Sequence, residues 1–167
     1  TDLGGFVASC FKRGIDFMNV PTTLLSMVDA SVGGKTGVDL GPLKNQVGVI
    51  NQPQIVVVDT DFLDTLDQRQ LNSGYAEMLK HGLITDASYW ETLKGLSGFD
   101  NLDEYILRSV AIKNEVVQQD PTEQHLRKIL NYGHTLGHAV ESYFLESEEH
   151  ELLLHGEAIA VGMILEG

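Results

Sequence analysis

Residues 53–84, PQIVVVDTDFLDTLDQRQLNSGYAEMLKHGLI, decide the fold, because the hydrophobic period changes inside them. PQIVVVDT (53–60) is an unbroken apolar run between a proline and acidic turn residues, the pattern of a strand buried on both faces. From about Leu66 the period lengthens. DQRQLNSGYAEMLKHGLI (67–84) carries the three-and-four spacing of a helix. Upstream, IDFMNVP (15–21) reads as a second, weaker strand, and TTLLSMVDASVG (22–33) as a short amphipathic stretch that a strand could feed. GGKTGVDLGPLKNQVG (33–48) reads as a glycine-studded loop or hairpin. Downstream, LDEYILRSVAIKNEVVQQ (102–119), EQHLRKILNYGHTLGHAVESYFL (123–145) and LLHGEAIAVGMILEG (153–167) all keep helical spacing, with no further strand-like run. The expectation is an α/β piece with a parallel layer, residues 1–66, followed by an all-helical piece, residues 67–167. Asp120, Pro121 and Glu123 read as a helix start, with a capping side chain, proline at N1 and an acid at N3. The opening TDLGGFVA reads as a helix, and both ends read as interior to a longer chain.

Composition narrows the function. The chain of 167 residues has a net charge of -13 and a pI near 4.6, which argues against a general nucleic-acid or anionic-membrane surface. Cys10 is the only cysteine, so there is neither an intrachain disulfide framework nor a thiolate zinc cluster; any metal must use His, Asp or Glu. No apolar run reaches the length of a membrane span, and the opening lacks the pattern of a secretory signal. A cytoplasmic setting is expected.

Chemistry concentrates in three segments. In NYGHTLGHAVE (131–141), His134 and His138 stand at i and i+4, on one helix face, but the residues between them include no glutamate base, so this is not a zincin helix. In SGYAEMLKHG (73–82), Glu77, Lys80 and His81 share a neighbourhood through i+3 and i+4 spacing. His155 precedes an apolar helix in LLHGEAIA (153–160). If Glu77, His134 and one more histidine converge, they form a two-histidine, one-carboxylate set suited to Zn²⁺. Taken singly, Glu77 is explained as an ion-pair partner of Lys80 or His81, and His155 as a helix-start histidine. His150, in the stretch AVESYFLESEEHELLL (139–154), rivals His155 on spacing alone. SVGGKTG lacks the spacing of a nucleotide P-loop.

Together these segments resemble the 3-dehydroquinate synthases of the sugar-phosphate cyclase family. The resemblance runs through RGIDFMNVPTTLLSMVDASVGGKTGVD (13–39), LKNQVGVINQP (43–53), DTDFLDTLDQRQLNSGYAEMLKHGLI (59–84), LNYGHTLGHAVE (130–141) and LLHGEAIAVGM (153–163). It implies a dehydroquinate synthase-like fold, in which residues 1–66 are the later part of an NAD-binding, partly Rossmann-like α/β domain. Residues 67–167 would begin the helical metal- and substrate-binding domain.

The resemblance also implies roles. Glu77, His134 and His155 match the positions that hold a divalent ion, Zn²⁺ or Co²⁺, and the LHGE context favours His155 over His150. His138 matches a histidine that contacts substrate and does not ligate. Asp29, Lys35, Lys44, Asn45, Lys80, Lys113, Glu123, Arg127 and Asn131 match the substrate pocket. Thr22 and Thr23 match one NAD contact and Phe62, Leu63, Asp64 and Thr65 another; Lys35 and Lys44 are shared with the cofactor side, and Asp2 is the last residue of the glycine-rich cofactor loop.

Read without the resemblance, Glu123 is also the N3 acid of a helix start, and Lys113 and Arg127 fall on helices where a solvated face is the default. The implied reaction converts 3-deoxy-D-arabino-heptulosonate 7-phosphate to 3-dehydroquinate and phosphate in the shikimate pathway. It proceeds by transient NAD-dependent oxidation, phosphate elimination, reduction and aldol closure. Lys35, Lys80, Arg127 and their neighbours would neutralise the phosphate and carboxylate. Competing expectations are another sugar-phosphate cyclase, a metal-dependent polyol dehydrogenase of related fold, or a non-catalytic interaction fragment. The implied partner is a small sugar acid phosphate, the implied full-length assembly a homodimer, and this polypeptide alone is expected to be inactive.

Overall fold

The computed structural model describes residues 1–41, 43–147 and 150–167; residue 42 of the glycine-studded segment and residues 148–149 of the stretch after α5 lie outside it. Helix α1 (Asp2–Cys10) leads to strand β1 (Met18–Asn19), which pairs in parallel with β4 (Ile55–Val56) in the register Met18 to Ile55 and Asn19 to Val56. The runs around residues 18 and 55 therefore do pair in parallel, but over two residues each, and the expected burial on both faces is overturned, since Met18 is 64% and Ile55 51% exposed. Between them, β2 (Lys35–Leu40) and β3 (Leu43–Ile50) form an antiparallel hairpin, with a bulge between Val38 and Leu40. Asn45 sits there with φ 52°, its N–H donated to Asp39 Oδ1 at 2.8 Å; a bulge of this kind re-aims the side chains beside it.

The stretch after β1 opens with a reciprocal cap. Thr23 Oγ1 accepts the Ser26 N–H and Ser26 Oγ accepts the Thr23 N–H, both at 3.2 Å, so the Thr23 hydroxyl starts the turn that follows. That turn, Ser26–Ala30, is a π-helix, with the Ser31 N–H reaching the Ser26 carbonyl at 3.0 Å. Such turns recur at functional sites, and this one carries Asp29.

The remainder is helical. Helix α2 (Gln68–Thr85) is capped by Asp67, α3 (Ala87–Lys94) by Asp86, and α4 (Asp103–Gln119), α5 (His134–Glu146) and α6 (His155–Glu166) follow. Leu24, Met27 and Val28 of the π-helical segment meet Met78 of α2, Tyr89 and Leu93 of α3, and Ile106 and Ile112 of α4 in the main apolar core. Among the described residues, no helix is long and apolar enough to cross a membrane.

One expectation is overturned. Residues 123–145 are not one helix, and Asp120 does not begin one. Asp120 ends α4, and its carboxylate accepts the N–H groups of Gln124, His125 and Arg127, holding a turn in which Glu123 has φ 60°. A 3₁₀ turn over Leu126–Asn131 follows, and Gly133 with φ 78° breaks the path before α5 begins at His134. The break is fixed sterically, because a Cβ on Gly133 would lie 2.5 Å from Met163 Cγ.

Candidate metal and anion site

Each of the two histidines at the centre of the site is the first residue of its helix, His134 of α5 and His155 of α6, and they face Glu77 on α2. Glu77 Oε1 lies 3.8 Å from both His134 Nε2 and His155 Nε2. Glu77 is fully buried; Oε2 pairs with the Lys80 ammonium, and Oε1 has no hydrogen-bond donor among the described residues. A buried carboxylate oxygen without a donor is costly unless a cation faces it. The histidines are oriented from behind. His134 Nδ1 lies 3.2 Å from the Tyr132 carbonyl, and His155 Nδ1 lies 3.4 Å from Glu141 Oε2. Contacts of that type fix the ring and leave Nε2 available as an electron-pair donor. His138 joins the group one turn along α5, its ring 5.2 Å from that of His134 and 5.6 Å from that of His155. His150 stands apart, its ring against Phe144 at 5.4 Å.

Burial and the neighbouring charges shift the two histidines in opposite directions. Burial, reinforced by the Lys80 charge, lowers His134 to about 4, so the ring is neutral at physiological pH. For His155, burial acts downward, but the hydrogen bond its ring donates to Glu141 and the charge of Glu77 outweigh it and raise the pKa. Burial also acts against the Glu77 charge, yet Lys80 holds the carboxyl below its usual value.

A cavity of about 710 Å³ opens beside these groups, between the hairpin and the helices. From the α/β side Asp2, Asp29, Lys35, Lys44 and Asn45 line it. From the helical side Lys80, Lys113, Glu123, Arg127, Asn131 and the three histidines do. The solvated-face reading of Lys113 and Arg127 is corrected, because they are only 7% and 2% exposed. Lys113 falls on the buried stripe of α4 with Ile106, Ser109 and Val116, and its ammonium donates to Asp29 Oδ1 at 2.7 Å and to the Asp29 carbonyl at 2.6 Å. Arg127 donates to the Gly33 carbonyl at 2.9 Å and the Pro121 carbonyl at 2.8 Å, tying the loop before β2 to the turn after α4. Burial works against the Asp29 charge, but Lys113, Lys80 and His81 hold its carboxyl well below the ordinary range.

Glu123 is not an N3 acid. Its carboxylate pairs with Lys35 and accepts from Asn131 Nδ2 at 2.6 Å, which turns it into the cavity. Burial, with the charges of Arg127 and Lys113, lowers Lys35 to about 8.

The remaining candidates lie elsewhere. Thr22 is exposed and the Thr23 hydroxyl is held in its cap, while Phe62, Leu63, Asp64 and Thr65 belong to a 3₁₀ turn (Thr60–Thr65) and do not line the histidine cavity. Leu63 and Asp64 line a second cavity of about 570 Å³ with the start of α2. Both groups follow the carboxyl ends of the parallel strands, Thr22 and Thr23 after β1 and Phe62–Thr65 after β4. Glu141 is a site residue that the sequence reading missed. It accepts from Lys44 Nζ at 3.1 Å and backs His155, and its spacing of seven from His134 and three from His138 places it on the same face of α5.

The family description "3-dehydroquinate synthase N-terminal" matches residues 1–73 and "3-dehydroquinate synthase C-terminal" matches residues 74–167. Among curated proteins, a 3-dehydroquinate synthase of Parabacteroides distasonis is 47% identical over 99% of this chain and 48% of its own length. One from Helicobacter pylori is 48% identical over 98% of this chain and 46% of its own length. The chain thus spans about half the length of the curated relatives it matches. Among solved structures, a 2-epi-5-epi-valiolone synthase of Streptomyces hygroscopicus with NAD⁺ and Zn²⁺ bound superposes with a TM-score of 0.83 and 34% identity, over 99% of this chain and 47% of that one. A 2-deoxy-scyllo-inosose synthase with carbaglucose-6-phosphate, NAD⁺ and Co²⁺ superposes with a TM-score of 0.82 and 32% identity, over 98% of this chain and 46% of that one.

Proposed function

Because the chain belongs to the 3-dehydroquinate synthase family, we propose that it serves the conversion of 3-deoxy-D-arabino-heptulosonate 7-phosphate to 3-dehydroquinate and phosphate. The observation that carries this reading is the buried Glu77 Oε1, without a hydrogen-bond donor among the described residues and equidistant from two oriented histidine nitrogens whose rings line a cavity rich in cationic groups.

Two nitrogens and one carboxylate oxygen fit a divalent ion such as Zn²⁺ or Co²⁺, with positions left for substrate oxygens. In this reading Glu77, His134 and His155 hold the ion and His138 faces substrate. NAD⁺ fits the same layout, since α/β sheets bind such cofactors outside the carboxyl ends of their parallel strands, where Thr22, Thr23 and Phe62–Thr65 lie. An ion held by Glu77, His134 and His155 would supply acidification of a substrate alcohol, and NAD⁺ would supply a hydride acceptor.

The chain's own residues do the rest. Lys80, Lys113 and Arg127 present positive charge from the cavity wall, suited to a substrate that carries both a phosphate and a carboxylate. Lys35 Nζ, with its pKa lowered to about 8, can hold or exchange a proton in the cavity. Asn45 and Asn131 add uncharged hydrogen-bond groups for hydroxyls.

The test is phosphate release from the seven-carbon sugar acid phosphate with NAD⁺ and Zn²⁺, using a protein of the relatives' length that contains this chain. Release without lasting reduced-nicotinamide absorbance supports the reading. Release only from sugar phosphates lacking the carboxylate would move the function to another cyclase, and accumulated NADH would move it to a dehydrogenase. The chain alone, assayed beside it, is expected to be inactive. Leu3, Val7, Met18 and Ile55 are half or more exposed around the cofactor-side strands, which leaves that side open.

A further inference from the structure

Glu77 and His155 sit on different helices, and what sets their separation lies one and two turns earlier on α2. Arg69, Ser73 and Glu77 stand at i, i+4 and i+8, a single stripe. They meet Glu157, Gly156 and His155 in turn along α6.

Arg69 grips Glu157 with a two-pronged contact, Nε to Oε1 at 2.6 Å and Nη2 to Oε2 at 2.8 Å, and Nη2 also donates to the Leu152 carbonyl at 2.6 Å. Its Nη1 reaches Glu151 Oε1 at 3.1 Å. Glu157 in turn accepts the Leu154 N–H at 2.8 Å, fixing the residue immediately before His155.

The N-cap of α6 is Leu154, which has no side-chain oxygen to satisfy the first amides. Ser73 supplies it from α2, its Oγ accepting the Gly156 N–H at 2.9 Å. Only glycine permits this approach, since a Cβ at position 156 would overlap the Ser73 carbonyl. The first turn of α6, and therefore His155, is held in place by α2 together with the contact of Glu157 to the Leu154 amide.

We propose that Arg69 is a positioning residue for the divalent-ion site: by gripping Glu157 it fixes the first turn of α6 and with it the reach of His155 toward Glu77. The inference rests on the metal reading of Glu77, His134 and His155. Arg69 itself lies outside the cavity-lining set and its side chain is 39% exposed, so its ion pair contributes little to global stability. The effect belongs in metal affinity and coordination geometry.

The experiment compares wild type, Arg69→Gln, Arg69→Lys and Ser73→Ala in a protein of the relatives' length that contains this chain. Zn²⁺ affinity is measured by competition with a chromophoric chelator, the visible spectrum is recorded with Co²⁺ bound, and metal-free urea midpoints are taken alongside. Arg69→Gln is expected to weaken Zn²⁺ binding by about tenfold and alter the Co²⁺ spectrum while moving the metal-free midpoint little. Arg69→Lys keeps the charge but loses the fork, so it should recover only part of the affinity. Ser73→Ala should shift both readouts in the same direction, and it carries the test if Arg69→Gln does not fold. Unchanged affinity and spectrum in the folded variants, with wild type binding one ion, would overturn the positioning role alone. Failure of wild type to bind any ion would overturn the metal reading and the proposal with it.

Discussion

Helix α2 has two buried faces of opposite chemistry. On one, Met78, Leu71, Tyr75 and Leu79 join Leu24, Met27, Leu93 and Ile106 in the apolar core. On the other, Glu77, Lys80 and His81 are as deeply buried as Met78, yet all three are ionisable and packed among Asp29, Lys113 and two histidines. The first face stabilises the fold by removing apolar area from water, about 25 cal/mol per Å². The second costs desolvation, which pairing only partly offsets. Stability and binding chemistry are thus divided between two sides of one helix. A change on the apolar side should therefore leave metal affinity alone, whereas unpairing the charged side should cost stability as well.

The largest expected effect comes from unpairing the charged face. In metal-free protein, Lys80→Ala leaves the fully buried Glu77 carboxylate without its cation and should lower unfolding stability by about 3–5 kcal/mol in urea. A loss below 1 kcal/mol would mean that Glu77 is not charged in the fold. Leu93→Ala, in the core packed against the apolar face, should cost about 2–5 kcal/mol by leaving a cavity, with Zn²⁺ affinity unchanged in the folded protein. Weakened Zn²⁺ binding there would show that the two faces are coupled. Removing both charges together, Glu77→Leu with Lys80→Met, should leave stability unchanged or raise it by about 1–4 kcal/mol while abolishing metal binding. A double variant as unstable as Lys80→Ala would contradict the division.

The smallest effect lies away from both faces. Asp86 caps α3, accepting the Tyr89 N–H at 3.0 Å, and also receives Ser88 and Arg108. Those hydrogen bonds, Ser88 and Arg108 before the Tyr89 amide, lower its carboxyl below the usual value. Its contribution is therefore fully present above the unfolded carboxyl pKa of about 3.9 and is lost as pH falls through the lower folded value. Asp86→Ala should cost about 1 kcal/mol near neutrality and progressively less in acid, read from urea midpoints across that range. A cost that grows on acidification would reverse the assigned sign.

The helices of this molecule were legible wherever burial imposed a period, as at residues 68–85 and 103–119, and the place of β4 where a β-branched run met turn residues, though its length and exposure were not. The break at Gly133 was not, because Arg127, Leu130 and His134 keep three-and-four spacing straight through the 3₁₀ turn. The two-histidine face survives that break, since His134 and His138 both belong to α5. Convergence of Glu77 with His134 and His155 is a long-range contact that no local spacing encodes, and only the resemblance anticipated it. Glu141 and Lys113 did carry local signals, one on the histidine face of α5 and the other on the buried stripe of α4. Arg69 and Ser73 carried one as well, two turns and one turn before Glu77, but a stripe of unlike polar residues has no meaning until the partner helix is known.

The central claim is that Glu77, His134 and His155 hold one divalent ion while His138 faces substrate. It is tested most directly by the Zn²⁺ content of the purified wild-type, His134→Ala and His138→Ala proteins after equilibration with Zn²⁺ and removal of free ion. The account predicts one ion per chain in wild type and in His138→Ala, and none in His134→Ala. Full occupancy in His134→Ala, or loss in His138→Ala equal to that in His134→Ala, would contradict it.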